Sequence, residues 1–235
     1  MIEVIKRAVE NRGITRICHF TPSRNLSHIL TGTMGILATK HLQDGERNIF
    51  TPTDLKRLDG HIGYICCSIE YPNAWYFDKA RSQDTLFKDW VVLFINPQYL
   101  WTPGTLFCPR NAASDYGSAV AEGEQAFMSM FDRSVSGAGG MTFSRHPQHL
   151  TSCPTDNQAE VLVPDLIGIS DITGIAISTE EQAKNEAARL EILGISEDQY
   201  RFIIAPDLFD KRKLSKLIRS GQRPNEIPWN PREEI

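Results

Sequence analysis

The chain of 235 residues has no long apolar run, no excess of positive charge and no paired-cysteine spacing. Its longest strongly apolar stretch, Trp90 to Ile95, is six residues, against the ~20 needed to cross a bilayer. A membrane-spanning protein is therefore excluded. Met1–Asn11 mixes charges with apolar residues at helical spacing, so no signal-peptide pattern is expected there. The five cysteines (Cys18, Cys66, Cys67, Cys108, Cys153) are odd in number and contain no Cys-x-x-Cys. That spacing suggests neither a disulfide framework nor a zinc cage, and no metal is expected. Buried, reduced thiols in a cytoplasmic setting fit best. The net charge of −4 gives no global reason to expect a nucleic-acid partner. Also missing are the Gly-x-x-x-x-Gly-Lys phosphate loop, the Gly-x-Ser-x-Gly elbow and His-Glu-x-x-His. Gly137-Ala138-Gly139-Gly140 lacks the flanking strand and helix that a dinucleotide fingerprint needs.

What is present is an ordinary globular mix, 41% apolar and 23% charged, enough to bury a core unaided and too apolar for a disordered tail. Ile2, Ile5 and Val9 predict a first helix that stops at Gly13. Thr15–Phe20 reads as a short strand. A helix over Asn25–Leu30 follows, with Ser23 as its cap, and then a strand at Gly35–Ala38. Thr51-Pro52-Thr53-Asp54 opens another helix ending near Gly60. Gly63–Ile69 and Trp90–Ile95 read as buried strands. Glu122–Phe131 has helical character weakened by Gly123. Arg133–Thr155, with its glycines and prolines, reads as a long loop of the kind that serves function. Strands are predicted at Ala159–Val163, Ile172–Ile177 and Phe202–Ala205, and helices at Glu180–Leu193 and Leu208–Ser220. Helices and strands mix without a βαβ rhythm, so one α+β domain over residues 1–235 is expected.

Three islands could carry chemistry. His19-Phe20-Thr21 ends a strand just before the helix carrying Asn25, a natural place for ligand contacts; a lone histidine is also often structural. Tyr71–Phe77 packs five aromatic or apolar residues around Pro72 and Asn73, as either a cleft wall or simple core. In Asp156-Asn157-Gln158-Ala159-Glu160 a polar loop enters Val161-Leu162-Val163. Glu160 is there either an edge charge or a carboxylate placed at a cleft. A strand-end His, a central aromatic and a Glu 141 positions later resemble the layout of ADP-ribosyltransferases, whose split β-sheet with flanking helices holds NAD in a cleft. Ile17-Cys18-His19-Phe20-Thr21 with Asn25-Leu26 and Ile29-Leu30, and later Gln158-Ala159-Glu160-Val161-Leu162-Val163, resemble the DarT family of toxins, which ADP-ribosylate DNA bases. The resemblance covers residues 14–178.

The resemblance implies NAD+ as substrate, with His19, Thr21 and Asn25 on its ribose and nicotinamide side and Tyr71 beside it. It implies Glu160 as the catalytic glutamate, with His19 as its partner. It also implies a basic residue near the pyrophosphate, Lys79 or Arg81, and a DarG-type antitoxin with ADP-ribosyl hydrolase activity. Where thymidine-modifying members carry Pro-x-x-Pro-Met, this chain has Cys67-Ser68-Ile69-Glu70-Tyr71-Pro72-Asn73-Ala74, which leans the target from thymine toward guanine. A base inside a duplex is out of reach, so single-stranded DNA is the expected substrate. Stacking and cationic contacts are then needed, with Trp75, Tyr76, Phe143, Arg145, His146 and His149 as candidates. Arg145 and His149 could equally just solvate the loop. Related enzymes acting on RNA or protein, and an inactive nucleic-acid-binding module, are the alternatives.

The cations Lys211, Arg212, Lys213, Lys216, Arg219 and Arg223 share residues 211–223 with no acid; removing those six charges leaves the other 222 residues at −10. Either this is a solvated amphipathic helix with Leu214, Leu217 and Ile218 inward, or it tracks phosphates.

Overall fold

The computed structural model describes residues 2–31, 35–42, 57–137 and 140–230. Its helices are α1 (Ile2–Arg12), α2 (Leu26–Thr31), α3 (Ala74–Gln83), α4 (Glu124–Ser129), α5 (Glu180–Ile192) and α6 (Lys211–Arg219). The first eight strands are β1 (Ile17–Pro22), β2 (Ile36–Leu37), β3 (Tyr64–Ile69), β4 (Trp90–Ile95), β5 (Leu106–Cys108), β6 (Ala121–Glu122), β7 (Ser134–Ser136) and β8 (Thr142–Ser144). They are followed by β9 (Glu160–Pro164), β10 (Leu166–Ile167), β11 (Ile172–Ile177), β12 (Phe202–Ile204) and β13 (Ile227–Pro228). Nine of them form one sheet in the order β13-β12-β11-β4-β1-β3-β9-β5-β6.

All six residues of β4 are buried, because both faces of the sheet are covered. Strand alternation sends Val91, Leu93 and Ile95 to one face with Ile17, Ile175 and Ile177, under α1 and α5. Trp90, Val92 and Phe94 go to the other face with Cys18 and Ala176, under Phe77 of α3 and Leu214 and Ile218 of α6. Five free cysteines pack in this architecture. Burial pushes the thiols of Cys18 and Cys153 up to about 12 and that of Cys108 to about 11, so these are inert apolar fillers.

The sheet is split, and the register shows where. β1 pairs with β4 over six residues, Ile17↔Ile95 through Pro22↔Trp90. With β3 it pairs only at Ile17↔Ile69 and Cys18↔Ser68. From His19 onward β1 and β3 part, and β3 continues instead against β9, from Tyr64↔Pro164 to Cys67↔Val161. The mixed α+β fold with a split sheet is thus present as expected.

Several elements differ from their sequence patterns. Ser23 is not a cap; it begins a short 3-10 turn, Ser23–Asn25, whose N-cap position is Pro22. The helix expected at Glu122–Phe131 starts later, because Gly123 at φ 96° turns the chain out of β6 into α4. The loop Arg133–Thr155 contains the hairpin β7–β8, paired at Val135↔Phe143. The aromatic island opens α3, an amphipathic helix hidden by its unusual aromatic content. The helix expected from Thr51 lies outside the described residues as far as position 56, and residues 57–60 form a turn.

Candidate active site

His19 sits where β1 leaves β3, and its Nδ1 lies 2.8 Å from the Cys66 carbonyl. A carbonyl only accepts, so Nδ1 carries the hydrogen and donates it. Burial lowers the basicity of the ring; the bond to Cys66 works against this, and the nearby Arg57 charge works with it. The imidazole is therefore neutral, with Nε2 as an acceptor. Two residues on, the Thr21 hydroxyl accepts from Asn25 Nδ2 at 2.8 Å. Both residues are buried, and Asn25 Oδ1 is a buried acceptor with no partner. An orphaned buried acceptor of this kind suits a ligand donor.

Glu160 opens β9 and is only 6% exposed. Its Oε1 accepts from Asn73 Nδ2 at 3.1 Å and Asn111 Nδ2 at 3.2 Å, and Oε2 accepts from the Ala112 N–H at 3.1 Å. These three neutral donors fix the orientation of the carboxylate at the head of β9. Asn73 has two roles. Its Oδ1 accepts from the Tyr76 N–H at 3.1 Å and caps α3, while its own N–H donates to the Ser68 hydroxyl at 3.0 Å. Extending the β3–β9 register one step from Cys67↔Val161 places Glu160 across from Ser68, the partner of Cys18. His19 and Glu160 therefore flank β3 on neighbouring rungs at the point where the sheet opens. Strands lie ≈ 4.8 Å apart, so the two backbones are about 10 Å apart across it.

A family model described as "ssDNA thymidine ADP-ribosyltransferase, DarT" matches residues 18–209, about four-fifths of the chain. The chain belongs to the DarT family. Thermus sp. 2.9 DarT in complex with NAD+ is similar in fold, with TM-score 0.55 and 17% identity over 83% of this chain and 98% of that one. The same protein in complex with ADP-ribosylated ssDNA gives TM-score 0.56 and 16% identity over 84% and 97%. Thermosipho africanus DarTG in complex with ADP-ribose gives 0.51 and 16% over 83% of this chain and 51% of that chain. No curated protein matches the chain significantly.

Within this DarT chain several residues singled out by sequence turn away from the split. Tyr71 is 4% exposed, among the core side chains beneath α3, with the Arg16 guanidinium 5.2 Å from its ring, and it borders a small pocket with Ser68, Asp156 and Ala159. Arg81 donates to the Phe209 carbonyl at 2.8 Å and lies over Phe77. It ties α3 to the turn before α6, whereas Lys79 is exposed. Arg145 is spent on the carbonyls of Leu150 and Cys153, at 2.8 and 2.9 Å, and on the Thr155 hydroxyl. It knits the loop instead of facing a ligand. His149 is buried, with Nε2 2.9 Å from the Pro154 carbonyl. Phe143 packs over Gly137, and His146 and Trp75 are exposed. Tyr76 lies 6.0 Å from Phe20.

The residues that sequence reasoning missed are Asn73, Asn111 and Arg57. Pro72-Asn73 before Ala74-Trp75 is a helix-start signal that could have identified Asn73. Asn111 carries no local signal. Arg57, at the edge of the described residues, donates to the Tyr64 carbonyl at 2.7 Å and pairs with Asp59 at 2.9 Å. Among the described residues no group of three His, Cys, Asp or Glu could hold a metal ion, and no helix is long and apolar enough to cross a membrane.

Burial, with Arg145 next in effect, lowers His149 to about 4 from an ordinary 6.5. Between those values the unfolded chain binds the proton that the folded chain does not, so stability falls as pH drops from 6.5 toward 4. Replacing His149 with Gln should flatten this part of the acid-melting curve. Thermal melts of both proteins at pH 7, 5.5 and 4.5 test this; parallel curves would refute it.

Proposed function

We propose that this DarT member transfers one ADP-ribosyl group from NAD+ to a thymine base of single-stranded DNA. The observation that carries the reading is the buried Glu160 carboxylate, held by three neutral donors one rung from the point where β1 leaves β3 at His19. The DarT family description supplies the acceptor. The departure around Tyr71-Pro72 that favoured guanine forms the turn and cap of α3, and no structural feature links it to base choice.

The chemistry follows from these groups. His19 Nε2 and Asn25 Oδ1 are acceptors suited to hydroxyl and amide donors of the dinucleotide, and they hold it ready for attack. When the nicotinamide–ribose bond breaks, nicotinamide leaves neutral with the bonding electrons and positive charge grows on the ribose. Glu160 accepts from a ribose hydroxyl and stabilises that charge more in the transition state than in the ground state. A nitrogen of the base then bonds to the ribose carbon, and Glu160 takes the proton it releases. By this reading the protein is the toxin of a pair, with a DarG-type antitoxin as its partner, a role supported by its likeness in fold to DarTG.

The test is intact-mass analysis of single-stranded oligonucleotides that contain one T, G or C in an A background, incubated with the protein and NAD+. One ADP-ribosyl unit on the T oligonucleotide alone is the expected result. Addition to the G oligonucleotide alone would reassign the base. Labelling of RNA or protein with DNA untouched would overturn the acceptor class.

A further inference from the structure

The six cations of residues 211–223 are not equivalent once folded. Lys211 Nζ pairs with Asp78 at 2.6 Å, Lys213 Nζ with Asp207 at 2.6 Å, and Arg223 with the buried Glu70 at 2.8 Å. Arg212, Lys216 and Arg219 are exposed, and no carboxylate of the described residues lies within ion-pair distance of them. Their spacing (i, i+4, i+7) puts all three on one face of α6. The stripe spans about 10 Å of helix axis, comparable to three nucleotides stacked at ~3.4 Å.

That face leads toward the catalytic glutamate. Ser215, buried at the edge of that face, accepts from Trp75 Nε1 at 3.1 Å, and the Lys211 ammonium lies 5.1 Å from the Trp75 ring centre. Trp75 is 42% exposed and lies two residues beyond Asn73, which donates to Glu160. At the other end, Arg219 acts electrostatically on Asp156 and His149 in the loop preceding Glu160. Ile218 lines one small pocket with Ser68, Asp156 and Ala159. The helix begins after residue 209, the last position matched by the family model, so it is an element that the shared pattern leaves out.

We infer that Arg212, Lys216 and Arg219 form a phosphate-binding stripe for the DNA strand flanking the modified base, with Trp75 as a stacking platform at its edge. Cations along a groove with an interposed aromatic are what sequence-tolerant single-strand binding requires. With the rest of the chain at −10, the stripe is also where a polyanion meets least repulsion. The inference rests on the reading of the protein as a single-stranded-DNA-modifying enzyme.

The experiment measures affinity of the full chain for a labelled 15-nucleotide single strand between about 50 and 200 mM salt, together with KM and kcat for modification. Each phosphate contact contributes about −0.7 to the slope of log affinity against log salt. The triple variant Arg212→Gln, Lys216→Gln, Arg219→Gln should therefore lose about 2 from the slope and raise KM for DNA, with kcat kept within about twofold. Trp75→Ala should weaken binding about tenfold at unchanged slope. A control removing equal charge from helices on the opposite face, Lys6→Gln, Arg7→Gln and Lys184→Gln, should behave as wild type. An unchanged slope in the first triple, or an equal loss in the control, overturns the stripe while wild-type modification stands. A wild-type protein that neither binds nor modifies single strands overturns the functional reading and the stripe with it.

Discussion

Glu160→Gln should lower the rate of ADP-ribosyl transfer by about 10³-fold while leaving a folded protein. The loss is electrostatic, since the amide matches the carboxylate in shape but brings no charge to the positive ribose. Removing one fixed group that stabilises transition-state charge costs on the order of 10²–10³ in rate elsewhere, and in the mechanism proposed above the same group also accepts the proton from the base. The folded state is affected less. Oε1 faces the amides of Asn73 and Asn111, and Oε2 faces the Ala112 N–H. The glutamine NH₂ must then face a donor on one side, which forfeits about one hydrogen bond at roughly 1–2 kcal/mol. In a chain of this size that is a drop of a few degrees in melting temperature. Asn73→Asp separates charge from position. Its carboxylate still caps α3 through the Tyr76 N–H, yet it replaces a donor to Glu160 with a like charge. Two carboxylates then share a buried site, so melting should fall by more than in Glu160→Gln, and nicotinamide release should fall about 10- to 100-fold. A Glu160→Gln enzyme with wild-type turnover would remove the glutamate from the chemistry.

The two ends of this candidate site stand out in the sequence because each is a local pattern. His19 lies in a strand that alternates and stops before a helix, and Glu160 heads the run Val161-Leu162-Val163. The sequence could also place β4, β11 and α5 almost to the residue, since the fully apolar run of β4, the isoleucine-rich run of β11 and the helix-forming stretch after it have few alternatives. The donors that hold Glu160 were not legible in the same way. Asn111 bonds to a residue 49 positions away, a relation created by the β5–β9 pairing and invisible to periodicity. Arg145 and His149 were misleading for a related reason. A polar side chain in a glycine-rich loop looks available, but a loop folded back on itself must satisfy its own carbonyls, and these two groups do so. The six cations of residues 211–223 show the converse. Their number was visible, whereas the acids that neutralise half of them, Asp78, Asp207 and Glu70, are brought in by tertiary structure.

Glu70→Ala should destabilise the protein by about 3 kcal/mol, and Glu70→Gly by less. Glu70, directly after β3, is fully buried at φ +66°, a conformation costing a non-glycine residue roughly 1–2 kcal/mol. Its surroundings keep it there. The carboxylate accepts from the Thr15 N–H and from Arg223, both at 2.8 Å. Its carbonyl accepts from Arg16 Nε at 2.9 Å, and its N–H donates to the Arg16 carbonyl at 3.0 Å. Arg16 in turn pairs with Glu226 and lies 3.7 Å from the Phe94 ring centre. Two crossed ion pairs thus fasten residues 223–226, and through them the end of α6, to the rung where β1 and β3 are still joined. Truncation at position 70 leaves the Thr15 N–H without its carboxylate and Arg223 without its acid. Arg223 is half exposed and can turn to water, so the cost stays at the lower end of the 3–5 kcal/mol for breaking a buried pair. Alanine loses the contacts and keeps the strain; glycine loses the same contacts and sheds it. The usual order of the two residues in a strand should therefore be inverted here, with Glu70→Ala melting about 10 °C below wild type and Glu70→Gly between them. Melting of glycine below alanine would show that the left-handed backbone at residue 70 stores no strain. An alanine variant as stable as wild type would show that the ion pairs do not fasten α6 to the split.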